Sequence, residues 1–372
     1  MMGFALGRFS LRGAAVALCL FLGTLPATSG PPNFNDLANR RDEELGAAVA
    51  SLFFAAMQSD EQLDALESAA SKFRSKNAKT ANGESKLGLL YDSIVVDPQD
   101  PRLDLFLDRW FARWPQSPTP YIIKSHVLLL DAVGARSLRS LHFDQAQSVQ
   151  LPADKLRSLQ KYLETHKKLA RIDPHWFVLA AHTARLAQTG EMAFTALITE
   201  GLSQHPTYTA IYDAGTDYFM PGRTGDPSSL EKWASQLSSQ TGLVDAQGAY
   251  ARVYWHAFLF GERGKIFQRA VIDWRKFKLS SASLLQADPS PQNFARMTLM
   301  SCIAGDRQET KRLFAVSSEP LSFYPWSGNE ERDICLKWAR QSQWDFILGG
   351  ALHWLQHHFL QGLKYLADLF RT

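Results

Sequence analysis

The sequence is poor in the features that mark several common classes of protein. Only 3 of its 372 residues are cysteine, and a chain of this length buries enough core to fold without a disulfide framework. With 23 glycines, 17 prolines and 45% apolar residues, it is neither disordered nor collagen-like. Alternating apolar and polar runs, which indicate half-buried strands, are absent. These absences predict a globular helical protein.

Short catalytic and cofactor-binding motifs are also missing. The sequence has no Gly-x-Ser-x-Gly elbow, no phosphate-binding Gly-Lys-Ser/Thr loop, no dinucleotide fingerprint and no aspartate-rich calcium loop. A lysozyme-like domain of the kind found in exported lytic transglycosylases is not recognisable. We therefore expect a non-catalytic protein without cofactor or metal. The alternative is an envelope enzyme that acts on cell-wall material without a short motif.

The first 29 residues have the pattern of a secretory signal peptide. Arg8 and Arg12 form a basic start, residues 13–25 are uncharged and mostly apolar, and small residues follow at 27–29. We expect cleavage after this segment and export to the periplasm or the outside of the cell. An uncleaved N-terminal anchor is the alternative.

The charges of the chain almost cancel. The 40 basic and 37 acidic side chains give a net charge of +3, and removal of residues 1–29 leaves 38 basic and 37 acidic side chains. A nucleic-acid-binding protein normally carries a basic excess or a basic stripe. The densest basic run, at 263–278, has the helical spacing of a solvated face. No nucleic acid is therefore expected as a partner.

The rest of the chain indicates one helix after another, since apolar residues recur at steps of three and four. Predicted helices cover 44–57, 61–75, 85–95, 103–114, 121–133, 152–172, 175–188, 192–203, 207–218, 230–240, 245–260, 265–277, 291–304, 307–316, 331–341 and 345–370. Hairpins of roughly 35–40 residues are typical of helical repeats. The pattern predicts an all-α fold, a tetratricopeptide-like α-solenoid of degenerate helical hairpins over residues 30–342. Its concave face is the expected surface for a protein or peptide partner.

Residues 343–372 are predicted to form a long C-terminal amphipathic helix over 345–370. The run 346–363 contains no Lys, Arg, Asp or Glu, which is unusual in this chain. His353 and His357 lie four residues apart, a spacing that we interpret as a polar stripe rather than a metal site. We expect the helix to cap the last hairpin or to dock on a partner or a membrane surface.

Two cysteines remain once the predicted signal peptide is removed. Cys302 and Cys335 are 33 positions apart, a separation that suits adjacent helices of neighbouring hairpins. An exported chain meets an oxidising compartment, in which disulfides form and persist. We predict a disulfide between these residues, and two buried thiols are the alternative.

Candidate binding residues cluster on the predicted helix 245–260. Tyr250, Arg252, Tyr254 and Trp255 lie within two helical turns, with the two tyrosines on one face. Aromatic side chains together with arginine are typical of a peptide- or glycan-binding groove. Aromatic residues at helical spacing are equally typical of a buried core. The sequence leaves both interpretations open.

Several segments resemble a known bacterial family. In order, they are Leu-Glu-Ser-Ala-Ala-Ser-Lys-Phe-Arg at 66–74, Trp-Pro at 114–115, Asp-Pro-His-Trp at 173–176, His-Pro-Thr-Tyr at 205–208, Tyr-Phe-Met-Pro at 218–221 and Tyr-Ala-Arg-Val-Tyr-Trp at 250–255. This order resembles the domain of unknown function 4034 family and its helical-repeat relatives over about residues 40–315. The resemblance implies a helical-repeat fold, and no activity comes with it.

The loop that follows Tyr218 departs from the pattern of that family. Relatives usually have Pro-Arg-Trp-Gly-Gly-Ser after the methionine, whereas residues 221–226 are Pro-Gly-Arg-Thr-Gly-Asp, with Arg223 displaced by one position. If the loop binds a ligand in relatives, the departure indicates that this protein has lost or altered that binding. Tyr218 and Arg223 are nevertheless kept as candidate binding residues. As a structural feature, the loop ends one helix and orients the next.

Overall fold

The computed structural model describes residues 42–80, 84–94, 96–135, 151–220, 226–240, 246–260, 272–317, 326 and 329–340. Within these ranges the protein has fifteen helices and no strand, and a single isolated antiparallel bridge joins Lys79 to Ser85. The predicted all-α fold is therefore confirmed for this part of the chain. The predicted signal peptide (1–29) and the predicted C-terminal helix (345–370) lie outside the described residues.

The helices follow one another through mostly short connections. In chain order they are α1 (Asp42–Ala56), α2 (Asp60–Ser75), α3 (Lys86–Asp92), α4 (Arg102–Arg113), α5 (Thr119–Val133), α6 (Ala153–Ala170), α7 (His175–Leu186), α8 (Glu191–Gln204), α9 (Thr209–Phe219), α10 (Pro227–Ser239), α11 (Ala246–Phe260), α12 (Trp274–Ala287), α13 (Pro291–Ile303), α14 (Arg307–Val316) and α15 (Asn329–Arg340). No helix in the described ranges is both long enough and apolar enough to span a membrane.

Side-chain caps determine where several of these helices begin. The side chains of Asp226, Ser290 and Asp306 accept hydrogen bonds from backbone N–H groups in the first turns of α10, α13 and α14. Such caps satisfy donors that have no partner within the helix itself. Proline follows the cap in α10 and α13, where its missing N–H carries no cost.

The bounds predicted for the helix at 265–277 are wrong. Helix α12 begins at Trp274, because Asp273 accepts hydrogen bonds from the N–H groups of two residues in the first turn, and it continues to Ala287. Its second half is rich in serine, which apolar periodicity does not register. Ser280 is nevertheless buried against α11, where its hydroxyl donates to Gln247 O and accepts from Ala251 N–H. Tertiary packing therefore extends the helix beyond the apolar pattern.

One continuous core runs through the described helices. Its largest fully buried side chains are Phe53, Tyr91, Phe106, Trp110, Phe177, Phe194, Tyr212, Trp233, Tyr250, Tyr254, Phe258 and Phe277. Helix α11 packs against α9, α10 and α12, and is therefore enclosed by neighbours. Alternate helices also touch, as α5 touches α7 and α7 touches α9.

Residues from distant parts of the chain meet across the fold. Gln292 at the start of α13 donates from Nε2 to Glu84 Oε1 over 3.0 Å, and Arg296 Nη2 lies 3.5 Å from the same oxygen. Lys79 Nζ lies 3.8 Å from Asp288 Oδ2 in the same region. The segment before α3 and the start of α13 therefore lie side by side, although 208 positions separate Glu84 from Gln292.

Helix α13 is also joined to the last described helix by a covalent bond. Cys302 of α13 and Cys335 of α15 form a disulfide, the pair that the sequence predicts, with their Cα atoms 5.9 Å apart. Helix α15 packs against both α13 and α14. The disulfide therefore anchors α15 to a helix whose first turns lie next to Glu84.

Candidate functional site

A cavity of about 240 Å³ lies where the two distant parts of the chain meet. Its wall is built from α3 and the residues before it, from α9, from α11, and from residues 284–297 at the end of α12 and the start of α13. Among the described residues, the charged or titratable side chains of the wall are Glu84, Asp92, Asp213, Arg252, His256, Asp288 and Arg296. Its larger apolar side chains are Leu89, Trp255, Leu259, Phe260 and Met297.

His256 of α11 lies on this wall between two carboxylates of α9. Its Nδ1 is 3.1 Å from Asp213 Oδ1, and its Nε2 is 2.9 Å from Asp217 Oδ1. The two aspartates are four positions apart and therefore share one face of α9. Because a carboxylate only accepts hydrogen bonds, both ring nitrogens of His256 donate, and the ring carries both protons.

The charge state of His256 follows from this arrangement. Burial alone would lower its pKa, but the charges of Asp213 and Asp217 outweigh burial and raise the pKa from 6.5 to about 9. At neutral pH the side chain is therefore an imidazolium. Since both N–H groups point to carboxylates, the ring offers no nitrogen that could accept a proton from a ligand. His256 holds Asp213 at the cavity wall.

In two ion pairs of the wall the carboxylate is the more exposed partner, whereas Asp288 is less exposed than its partner Lys79. The Asp213 side chain is 41% exposed and that of His256 only 3%, while Glu84 is 37% exposed and Arg296 only 18%. Asp288 of the wall is paired with Lys79, which does not line the cavity. Each of these three carboxylates of the wall thus has a cationic partner.

Two of the predicted binding residues line the cavity, namely Arg252 and Trp255 of α11. Trp255 is largely buried, and the guanidinium of Arg296 lies over its ring at 5.4 Å from the centroid. This contact is a cation–π interaction between α11 and α13. That α11 carries binding side chains stays a prediction, and the structure shows only that these two residues line a cavity.

Tyr250 and Tyr254 lie in the core, which corrects the expectation that they line a binding surface. Both are buried, and their hydroxyls donate to Glu231 Oε2 of α10 at 2.6 and 2.5 Å. Burial and the Glu231 carboxylate raise the pKa of both tyrosines. The physical reason is that neighbouring helices enclose α11, so that its aromatic side chains fill the interior.

Tyr218 is also a core residue rather than a binding residue. Its ring stacks on Phe194 with 4.0 Å between the centroids, and its hydroxyl donates to Thr189 O over 3.0 Å. The hydroxyl of Tyr218 is thus already hydrogen-bonded within the protein. Arg223 belongs to residues 221–225, which lie outside the described residues, so its role stays a prediction.

The sequence reasoning missed Asp213, Asp217 and His256. One signal was available, because the two aspartates are one turn apart in a segment otherwise rich in apolar and small residues. Asp217 is fully buried, and a buried carboxylate requires a partner. Which residue supplies that partner depends on the packing of α9 against α11, which periodicity alone does not reveal.

The functional argument rests on this cavity, because comparison with known proteins provides no relative. The chain matches no protein-family model, no curated protein and no solved structure. The resemblance to the domain of unknown function 4034 family therefore stays a prediction. In the part of the chain that the structure describes, no three His, Cys, Asp or Glu side chains converge to hold a metal ion.

Proposed function

We propose that this is an exported helical-repeat protein that binds a protein or peptide partner on the concave side of a tetratricopeptide-like α-solenoid. The cavity carries this proposal, because it combines carboxylates, Arg252 and Trp255 in one recess. Among the described helices, contacts from α5 through α7 and α9 to α11 support stacked hairpins. The proposal also includes the predicted helix over 345–370, which would cap the last hairpin of the solenoid.

The size of the cavity limits what part of a partner it can hold. Pockets for drug-sized ligands measure about 300–1,000 Å³, so a cavity of about 240 Å³ suits one or two residues. A peptide or a surface loop of a protein would place an anchoring side chain in it, as interface hot spots do. The rest of the partner would lie on the surrounding helices.

Export is supported by two independent features. The pattern of residues 1–29 is that of a signal peptide, and the Cys302–Cys335 disulfide is typical of an oxidising compartment. The near balance of charges offers no support for a nucleic-acid partner.

Binding to a library of fluorescent peptides, followed by anisotropy, tests the proposal. Arg252→Ala removes a cation from the cavity wall, whereas Arg157→Ala removes one from an exposed position of α6 that does not line the cavity. We expect Arg252→Ala to weaken the best peptides about tenfold, the usual effect of losing one charge-assisted contact. Arg157→Ala should leave the affinity unchanged. If no peptide binds, or if both variants behave alike, the proposal fails.

An envelope enzyme is the second candidate, because the cavity gathers His256 and several carboxylates. His256 itself is a poor base, since both of its ring nitrogens already donate to carboxylates. Asp213 or Glu84 would have to supply the catalytic group. Turnover of cell-wall fragments by the intact chain, abolished in Asp213→Asn, would favour this candidate over a binding protein.

A membrane-surface role for residues 345–370 is a separate candidate that rests on the sequence alone. Their apolar side and their lack of charged residues over 346–363 suit an interfacial helix. Deleting residues 343–372 and comparing membrane fractionation tests this role. Unchanged fractionation would remove it.

A further inference from the structure

We infer that one side of α15, formed by Ile334 and Trp338, is the docking surface for the predicted helix over 345–370 of the same chain. This inference rests on the cap that the proposed function includes, and it names the residues on which that cap lies. It also assigns the apolar side of the predicted helix to a contact within this molecule rather than to a membrane or another protein.

Helix α15 carries an apolar side chain that its described neighbours leave exposed. The helix packs against α13 and α14, and Cys335 and Ala339 on its inner side are buried. Ile334, in contrast, is 59% exposed, and Trp338 is half-buried. Because residues four positions apart lie on the same side of a helix, Ile334 and Trp338 form one apolar strip. Such a strip suits the apolar side of a further helix.

The packing order of the fold indicates which segment would cover this strip. From α4 to α14, every helix packs against the helix that follows it in the chain. Only residues 341–344 separate Arg340, the end of α15, from the start of the predicted helix. Helices joined by about 2–8 residues are typically antiparallel neighbours. The predicted helix is therefore expected beside α15.

The register of such a pair would bring apolar residues to the same level. In an antiparallel pair joined by 341–344, both helices have the same rise per residue, so position 348 lies level with about 337 and position 352 with about 333. Leu348 would therefore lie near Trp338, and Leu352 near Ile334. Both leucines belong to the apolar side of the predicted helix, which follows the same four-residue step.

The composition of the predicted helix suits a partly enclosed position. Residues 346–363 contain no Lys, Arg, Asp or Glu, although these residues make up 21% of the chain. Such side chains are almost never fully buried unless they are paired. This run can therefore lie against α15 without burying an unpaired carboxylate, ammonium or guanidinium group.

Hydrogen exchange of the intact chain, measured by mass spectrometry, tests this inference. Docking should protect the backbone amides of 345–357, because a docked helix exchanges only when it opens. Ile334→Ser removes the apolar contact, and we expect it to speed exchange in 345–357 about tenfold. The matched control is Leu279→Ser, since Leu279 is 65% exposed on α12, and it should leave this exchange unchanged.

A variant of the predicted helix tests the other side of the contact. Leu352→Ser should speed exchange in 345–357 about as much as Ile334→Ser, and combining the two should add little, because both remove the same contact. Gln356→Ser, on the polar side of the predicted helix, is its control. The amides of α11 serve as an internal reference. Exchange that rises equally in α11 would show loss of the fold instead of undocking, and would overturn the inference.

The possible outcomes separate this inference from the proposed function. Unprotected amides at 345–357 in the parent chain overturn it and leave the peptide-binding proposal standing. Equal exchange in the parent and in Ile334→Ser overturns α15 as the docking surface. If no library peptide binds while protection of 345–357 depends on Ile334, the proposed binding function fails and the docking surface stands.

Two other occupants of the apolar side of 345–370 would give different results. Protection that appears only with vesicles of phosphatidylglycerol and phosphatidylethanolamine would assign this segment to a membrane surface. Protection that appears only at concentrations at which sedimentation shows a dimer would assign it to a second copy of the chain. Either result overturns docking on α15 of the same molecule.

Discussion

Three buried histidines differ in charge because their neighbours differ. His256 has two aspartates at hydrogen-bond distance and is charged at neutral pH. Burial lowers the pKa of His126 and of His175 to about 3, with the nearby His175 adding to the effect on His126. These two side chains are therefore neutral. Above pH 6.5, His256 makes the folded state less stable as the pH rises. Below pH 6.5, His126 and His175 make it less stable as the pH falls.

Raising the pH is expected to destabilise the fold through His256. Its pKa is 6.5 when unfolded and about 9 when folded, so its contribution is complete below pH 6.5 and is lost as the pH rises to 9. The difference corresponds to about 3 kcal/mol of unfolding free energy. Urea unfolding between about pH 6.5 and 9.5 measures it. In His256→Gln this decline should disappear, and an equally steep decline in that variant would contradict the assignment.

Lowering the pH is expected to destabilise the fold through His126 and His175. Both are neutral in the folded state, while the unfolded chain binds protons below pH 6.5, so stability is lost as the pH falls from 6.5 towards 3. Neither ring nitrogen of His126 has a hydrogen-bond partner among the described residues.

A substitution at His126 separates its contribution from general acid unfolding. His126→Leu removes two unsatisfied polar atoms and one titrating group, so we expect it to stabilise the protein by about 1–3 kcal/mol at about pH 5. Urea unfolding at that pH, compared with pH 6.5, provides the measurement. A variant less stable than the parent at both values would show that the buried imidazole has a structural role.

Close packing of helices depends on single small residues, and Gly215 of α9 is one of them. A Cβ at this position would lie 2.7 Å from Trp233 Cζ2 of α10, and the tryptophan is fully enclosed. We expect Gly215→Ala to lower the unfolding free energy by about 1–3 kcal/mol through overpacking. The higher helix propensity of alanine, about 1 kcal/mol, offsets only part of this.

A matched glycine provides the control for the packing at Gly215. At Gly190, which precedes α8, a Cβ would meet no atom within 4 Å. Gly190→Ala should therefore change the urea unfolding midpoint little, because no neighbour has to move. Equal destabilisation by both substitutions would show that backbone freedom, rather than contact with Trp233, explains the effect at Gly215.

The sequence predicts most of the described helices correctly, and there is a physical reason where a predicted helix differs from the observed one. Helices α13 and α14 begin and end within one residue of the predicted 291–304 and 307–316, because apolar periodicity and local breakers agree there. The prediction failed for α12, whose serine-rich half is helical through its contact with α11. Periodicity also could not decide between surface and core for Tyr250 and Tyr254, since a helix enclosed by neighbours has no single inward face.

The cavity, in contrast, is a property of the whole molecule that one sequence does not reveal. Arg296 and Glu84 are 212 positions apart, and their contact depends on how the helices between them pack. Arg252 and Trp255 were predicted because their residue types already indicate binding. Asp213 and His256 become a pair only when α9 packs against α11. The chemistry of single residues was thus predictable, whereas their convergence was not.

The disulfide links the stability of the whole fold to the cavity. It joins residues 33 positions apart, and loop-closure entropy assigns such a bond about 3–4 kcal/mol. Because Cys302 lies on the helix that carries Arg296 and Met297 of the cavity wall, we expect reduction to lower the unfolding free energy and to weaken binding of the best library peptides together. Urea unfolding and calorimetry with and without reductant measure the two effects. The double variant Cys302→Ala, Cys335→Ala, in which reductant should have no effect, is the control. Loss of stability with unchanged affinity would show that the position of α15 does not affect binding at the cavity.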